Sequence, residues 1–344
     1  MVHTILQHNL NMKQKNLLMR NIFVIVLITT ITLAASGQES TVIKPQGKPL
    51  ALIFSNFHND YSDGNTFSAF EITRAYLGYE YTFSGEWDGY IVMDVGDPEA
   101  GDHQHAAFLK NAYVRYRKSN LSFLFGMIPT TQFKVSEGIW GYRYIEESYQ
   151  DLYSFNASAD IGLTIDYRFT NFLSADFSVF NGEGYHRLES DGFLRPSAGI
   201  TVNPLESVTA RIYADYMGDD VKQKSLAGFL AYQDNVINAG AEYNYQQNVG
   251  MTEGRDRFGP SFFATYIPVP NIKIFGRFDQ LNSNTLAGEN DPWQINRDGQ
   301  LIIAGVEYAP LRGVKFAPNY RMWNPESGSL PTINSIYLNC EVRF

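Results

Sequence analysis

Apolar and polar residues alternate with a period of two through most of this chain, and that pattern constrains its fold more than anything else in it. Ile161, Leu163, Ile165 and Tyr167 interleave with Gly162, Thr164, Asp166 and Arg168; Val208, Ala210, Ile212, Ala214 and Tyr216 interleave with Thr209, Arg211, Tyr213 and Asp215. Successive strand side chains point to opposite faces, so each run has one apolar and one polar face. The last stretch repeats the pattern, with Ile336, Leu338, Cys340, Val342 and Phe344 on one face and Tyr337, Asn339, Glu341 and Arg343 on the other. No segment after residue 48 has helical periodicity.

Each run is about ten residues, the length a tilted membrane-crossing strand requires. Counting runs between turn residues, from 50–59 to 333–344, gives about 16 strands, an even number that lets both ends of a closed barrel lie on one side. Every second link is short, as at Ser84-Gly85, Ser119, Thr170-Asn171, Pro204-Leu205, Asp234 and Pro310-Leu311. The intervening links are expected to be longer and polar. The expected fold is therefore all-β: a transmembrane antiparallel barrel over residues 49–344.

The first residues follow a different rule. Lys13, Lys15 and Arg20 precede an apolar run from Ile22 to Leu33 and the small residues Ala34, Ala35, Ser36 and Gly37, which is the layout of a cleaved signal peptide over 1–37. The apolar run is too short for a spanning helix, which needs about 20 residues. Met1 to Asn11 add nothing to that layout, so Met12 and Met19 are alternative translation starts. Residues 38–48 read as a linker, too short to fold as the plug of a gated transporter.

The longest link, Thr130 to Asn156, would be the third extracellular loop. Ile139, Trp140, Tyr142, Tyr144, Ile145 and Tyr149 give it more apolar surface than a solvated loop carries, so it is expected to fold into the lumen and narrow it. Lys134, Glu137, Trp140, Tyr142, Arg143, Tyr144, Glu146 and Glu147 are the constriction candidates. Trp140, Tyr142 and Tyr144 have two readings, as loop anchors or as platforms for sugar faces; the anchor reading is the stronger.

Four stretches carry a family resemblance: Phe70 to Tyr81, Leu109 to Tyr116, Phe125-Gly126-Met127-Ile128-Pro129-Thr130, and Ser158-Ala159-Asp160-Ile161-Gly162. They resemble, in order, the phosphate-selective porin O/P family in its Bacteroidetes-type branch. The likeness covers roughly the first half of the chain beyond the signal peptide. It implies a homotrimeric, sixteen-stranded porin of a Gram-negative outer membrane, in contact with lipid and with small hydrophilic solutes. It also implies that Phe344 is the signal read by the barrel-assembly machinery. It does not carry the substrate over, because no anion-binding arginine ladder matches.

Parity places Arg74, Arg115, Arg117, Arg168 and Arg321 on the lumen wall, with Asp94, Asp166, Asp215 and Glu242 beside them. Such a wall is mixed in sign, and opposite charges on neighbouring strands would pair. A net charge of -9 with no basic stripe excludes a nucleic-acid partner. Neither a cofactor motif nor a hydrolase arrangement is present: His58, His103, His105 and His186 fall at strand ends or loops without a Ser and an acid in a recognisable order, so no catalytic residues are assigned. Asp102, His103 and His105 form too weak a pattern for a metal site. The expectation is a passive pore for small hydrophilic solutes or ions. A substrate-selective channel, for phosphate or another anion or for an oligosaccharide, and a non-conducting adhesin or structural barrel are the alternatives.

Overall fold

The computed structural model describes residues 46–96 and 105–344. The signal peptide, most of the linker and Asp102, His103 and Gln104 lie outside the described residues. Sixteen strands close into an antiparallel barrel. They are β1 (Gln46–Ser62), β2 (Asn65–Thr82), β3 (Trp87–Gly96), β4 (Ala106–Lys118), β5 (Leu121–Pro129), β6 (Ala159–Arg168), β7 (Leu173–Phe180) and β8 (Arg195–Leu205). The second half comprises β9 (Val208–Met217), β10 (Gln223–Gln233), β11 (Ile237–Gln247), β12 (Arg257–Val269), β13 (Ile272–Ser283), β14 (Gly299–Leu311), β15 (Val314–Pro325) and β16 (Ile333–Arg343). Each strand pairs with its neighbours in sequence, and β16 returns to β1 in a register running from Leu52 opposite Arg343 to Tyr61 opposite Asn334. The N–H of Phe344 donates to the Ala51 carbonyl at 3.0 Å and completes the seam.

Two expectations about the first hairpin are corrected. β1 begins at Gln46, inside the stretch assigned to the linker. The first of the links expected to be long and extracellular is short: Asp63 and Gly64 alone turn the chain, both at positive φ, and backbone pairing runs up to Ser62 opposite Asn65. His58 also needs correction, since it lies within β1 and is buried on the lumen side instead of at a strand end.

Parity holds along most of the wall. On β9, Arg211, Tyr213 and Asp215 are buried toward the lumen while Ile212 is 60% exposed on the outside. Leu226, Leu230, Phe262, Ile274, Ile336 and Leu338 are exposed on the same outer surface. An apolar band of this size is stable only against hydrocarbon. Aromatic pairs such as Trp87–Tyr116 and Tyr167–Phe169 sit beside the short turns, where an interfacial girdle belongs.

The register shifts beside three short turns, at Val202/Leu205, Tyr266/Val269 and Tyr308/Leu311, and at two bulges farther up the wall. Between Phe54 and Ser55 of β1 the partner register skips Thr73, and between Val92 and Met93 of β3 it skips Lys110. An extra residue puts two consecutive side chains out of alternation. Glu71 and Lys110 thereby face the lumen, against the parity of the turn-side parts of their strands; Asn56 donates to Glu71, and Lys110 donates to Ser158 of the third loop.

Candidate functional site: the third loop in the lumen

Residues 130–158 connect β5 to β6, and the loop closes on itself at its base: Thr130 Oγ1 donates to the Ala157 carbonyl at 2.8 Å, and the Thr130 N–H to that of Ser158 at 3.1 Å. Two short helices follow, α1 (Lys134–Trp140) and α2 (Tyr149–Leu152). Gly141 ends α1 in the left-handed conformation, with φ of 72°, and its N–H caps the Glu137 carbonyl. That stop turns the chain so that Trp140 and Tyr142 both face the barrel wall.

The wall receives them with apolar residues on its inner face. Trp140 packs on Phe263 (ring centroids 5.4 Å apart), and Tyr142 packs on Phe275 (4.7 Å). Tyr144 reaches Phe54 of β1 (6.2 Å), and its hydroxyl donates to Glu307. These three aromatics are 2%, 3% and 2% exposed. They are loop anchors, and as such they leave no ring face for a passing sugar. Burial pushes the Tyr142 and Tyr144 phenols up, and for Tyr144 the Glu307 carboxylate adds to the shift.

Polar side chains of the wall take up the loop's backbone carbonyls. Arg211 of β9 donates to Thr131, Asn339 of β16 to Tyr144, Arg321 of β15 to Ile145, and Arg277 of β13 to Glu147. Arg257 of β12 holds Tyr153 and Ser154, and Gln246 of β11 holds Phe155. A buried loop needs such donors because its carbonyls have lost water. Several of the wall cations are thus spent on positioning the loop.

Its free edge carries the charges. Arg143 donates to Glu137 and Asp151, each at 2.5 Å, and lies 3.4 Å from Glu147. Burial works against the Arg143 charge, but Glu137 and Asp151 outweigh it and hold the guanidinium protonated. Glu147 also meets Arg74 of β2 at 3.1 Å, and Arg74 pairs with Asp94 of β3 at 3.0 Å. Glu146 pairs with Arg321 at 2.8 Å. Burial, with Asp151 adding to it, pushes the Glu147 carboxyl above the usual range despite its two arginine partners.

The structure therefore brings together Glu137, Arg143, Glu147, Arg74 and Asp94, and separately Glu146 with Arg321. Lys134 is exposed in the first turn of α1. Arg115 and Arg117 do not join the loop; they pair with Asp88, and Arg115 with Glu80, lower on the wall. Arg168 is exposed at the turn end of β6, and Asp166 is half-buried two residues above it. Asp215 lies 3.6 Å from Arg195 and accepts from Tyr213, while Glu242 accepts from Gln150 of the loop at 2.8 Å. The charged wall is mixed and largely paired, as its alternation predicts.

Sequence reasoning missed Lys110 because a bulge cannot be read from alternation. It missed Arg257, which has the same parity as Phe263 and Thr265 and was legible. The docking wall also had a signal: adjacent apolar pairs at Phe262-Phe263, Ile274-Phe275 and Ile302-Ile303 give β12, β13 and β14 two apolar faces, with Phe263 and Ile303 both opposite Arg277 and Phe275 one inward position nearer the turn. One face meets lipid and the other meets the loop.

No family model and no curated protein sequence matches the chain. Among solved structures, OmpF of Salmonella typhi in complex with daunomycin is similar with a TM-score of 0.66 and 15% identity, over 87% of this chain and 97% of that one. The anion-selective porin from Comamonas acidovorans gives 0.65 at 8% identity, over 88% and 100%. The outer membrane channel DcaP of Acinetobacter baumannii gives 0.62 at 14% identity, over 89% and 100%. At such identities the likeness is one of fold.

Proposed function

We propose that this chain is an outer-membrane porin that lets small hydrophilic solutes and ions diffuse passively, with the third loop as its constriction. The observation that carries this reading is the loop itself: its aromatic side packs on the wall and its charged edge, Glu137, Arg143, Glu147 and Asp151, is left on the other side. Transport of this kind needs a wetted path with weak contacts and no deep binding. The loop holds Lys134 and Arg143 against Glu137, Glu146, Glu147 and Asp151, so its field is acidic and favours cations.

The phosphate-selective form of the porin O/P resemblance gains no support from the lumen. A phosphate site wants uncompensated arginines, whereas Arg74, Arg115, Arg211, Arg277 and Arg321 are bonded to carboxylates or to loop carbonyls. An oligosaccharide channel is the second reading. It is favoured by Tyr90 and Tyr113, half-buried on the β3 and β4 wall with ring centroids 5.0 Å apart and stacked at 25°, close to where Arg115 pairs with Glu80. Homotrimer formation and recognition of Phe344 by the assembly machinery complete the proposal and rest on the family resemblance.

Single-channel recording in a planar bilayer, with reversal potentials in a salt gradient, tests it. Discrete conductance steps with cation preference are expected. A folded barrel without steps would make this a structural or adhesive barrel, and strong anion preference would restore the phosphate reading.

A further inference from the structure

Loop 3 is attached to the two sides of the lumen by different chemistry. Toward β9–β16 it is held by buried aromatics and backbone hydrogen bonds. Toward β2 it is held by charge and by one half-buried tyrosine, Tyr76, which packs against the edge of the aromatic cluster and accepts a hydrogen bond from Arg143. Among the described residues two ion pairs join loop to wall: Glu146 to Arg321, on the anchored side, and Glu147 to Arg74, on the free side. Residue 147 bridges both sides, since its carbonyl accepts from Arg277 of β13 while its carboxylate accepts from Arg74 of β2.

We propose that Glu147 is a positioning residue that acts as an acid-sensitive latch, fastening the free edge of loop 3 to the β2 wall at neutral pH and releasing it when protonated. This deepens the pore reading and rests on it for its effect on conduction. Release leaves few broken bonds behind. Arg74 keeps Asp94, and Arg143 keeps Glu137 and Asp151, so neither guanidinium loses its last carboxylate. The Glu147 N–H stays on the Glu146 carboxylate at 3.1 Å and its carbonyl on Arg277, which is paired with Asp279.

The surroundings set the direction. Facing the Glu147 carboxylate from the loop are Arg143 and Asp151, with Glu146 adjacent; from β2 come Arg74, backed by Asp94 of β3, and Tyr76, which accepts a hydrogen bond from Arg143. Lys110 of β4, on Ser158, and Tyr185 of the fourth loop lie just beyond. Burial and Asp151 raise the Glu147 carboxyl against the pull of Arg143 and Arg74, so it takes up its proton before exposed carboxylates do. Lowering the pH thus removes one negative charge from the edge and its ion pair to Arg74 together, leaving the hydrogen bond from Arg143 to the neutral Tyr76 hydroxyl as a weaker tie to β2.

The test uses the full-length folded barrel, with Glu147→Gln as the permanently neutral latch and Glu146→Gln as a control on the anchored side. Wild-type conductance is expected to rise about twofold from neutral to mildly acid pH, with falling cation preference. Glu147→Gln is expected to give the acid value at every pH, and Glu146→Gln to retain the step but shift it to lower pH, because Glu146 is one of the charges that raise the Glu147 carboxyl. Hydrogen exchange of residues 141–152 gives a readout independent of conduction. At the same neutral pH, exchange is expected to be faster in Glu147→Gln than in wild type, and the difference to vanish in acid. A pH step that persists in Glu147→Gln, or equal exchange at neutral pH, overturns the latch. A folded barrel that never conducts overturns the pore reading instead, and the exchange measurement still decides the latch.

Discussion

The hydroxyl of Tyr144 donates to Oε2 of Glu307 at 2.9 Å, tying the middle of loop 3 to the inner face of β14. Glu307 is 2% exposed and is also held by Lys273 at 3.0 Å and more loosely by Lys315. A carboxylate this deep is tolerable only because it is paired and hydrogen-bonded. Tyr144→Phe removes one donor and keeps the ring, so loop docking is expected to weaken by about 1–2 kcal/mol. Trp140→Ala removes the ring on Phe263 and is expected to cost about 3–5 kcal/mol of docking. Protease sensitivity of loop 3 in the intact barrel measures both, and equal sensitivity in the two variants would contradict the anchor role.

Replacing the interior of loop 3 with a short Gly-Ser link is expected to raise conductance per channel. The same change uncovers Phe229, Phe263, Phe275 and Ile303 on the lumen wall, each at most 7% exposed in the native fold. Each re-exposed side chain removes about 1.5–3 kcal/mol of burial, so the barrel is expected to assemble but to unfold at lower temperature. Unchanged conductance with unchanged heat resistance would mean that the loop does not occupy the lumen.

Charge at the edge is separable from bulk. Glu137→Gln with Asp151→Asn leaves Arg143 with only Glu147 at 3.4 Å, converting a compensated cation into a nearly free one. Reversal potentials are expected to move toward anions, since charge lining a pore sets its ion preference. No movement would place the path of ions elsewhere.

The two faces of the wall differ in what they tolerate. Ile165→Arg or Ile212→Arg puts a cation into hydrocarbon and is expected to cost about 2–4 kcal/mol near the midplane. Ser122→Arg faces the lumen opposite Asp166 and is expected to be nearly neutral. Equal loss of heat-resistant barrel in all three would refute the assignment of faces.

Deleting Phe344 is expected to change the folded barrel little, because its side chain is 77% exposed and its backbone contributes one seam hydrogen bond, worth about 1 kcal/mol. Assembly in cells is expected to fail nonetheless. Refolding in detergent compared with surface exposure in cells separates the two. A truncated chain that reaches the surface normally would remove the assembly role from Phe344.

Sequence by itself determined the barrel and most of its inner wall. Side chains alternate strictly along a strand, so once Arg211 and Asp215 are polar between Ile212 and Tyr216, which residues face water and which face lipid follows without knowing any partner. It also gave the third loop its place, because six large apolar residues in one long link must bury somewhere. Tertiary structure alone decided what that loop does with them. Whether Trp140, Tyr142 and Tyr144 line the passage or turn away depends on the complementary surface of Phe263, Phe275 and Phe54, contributed by strands far away in sequence. Only the closed barrel brings Glu147 between Arg74 and Arg143, and only the bulges at Thr73 and Lys110 turn Glu71 and Lys110 inward. Local periodicity fixes the face of a strand residue, whereas a loop residue has no period, and its partners are set by where the chain closes.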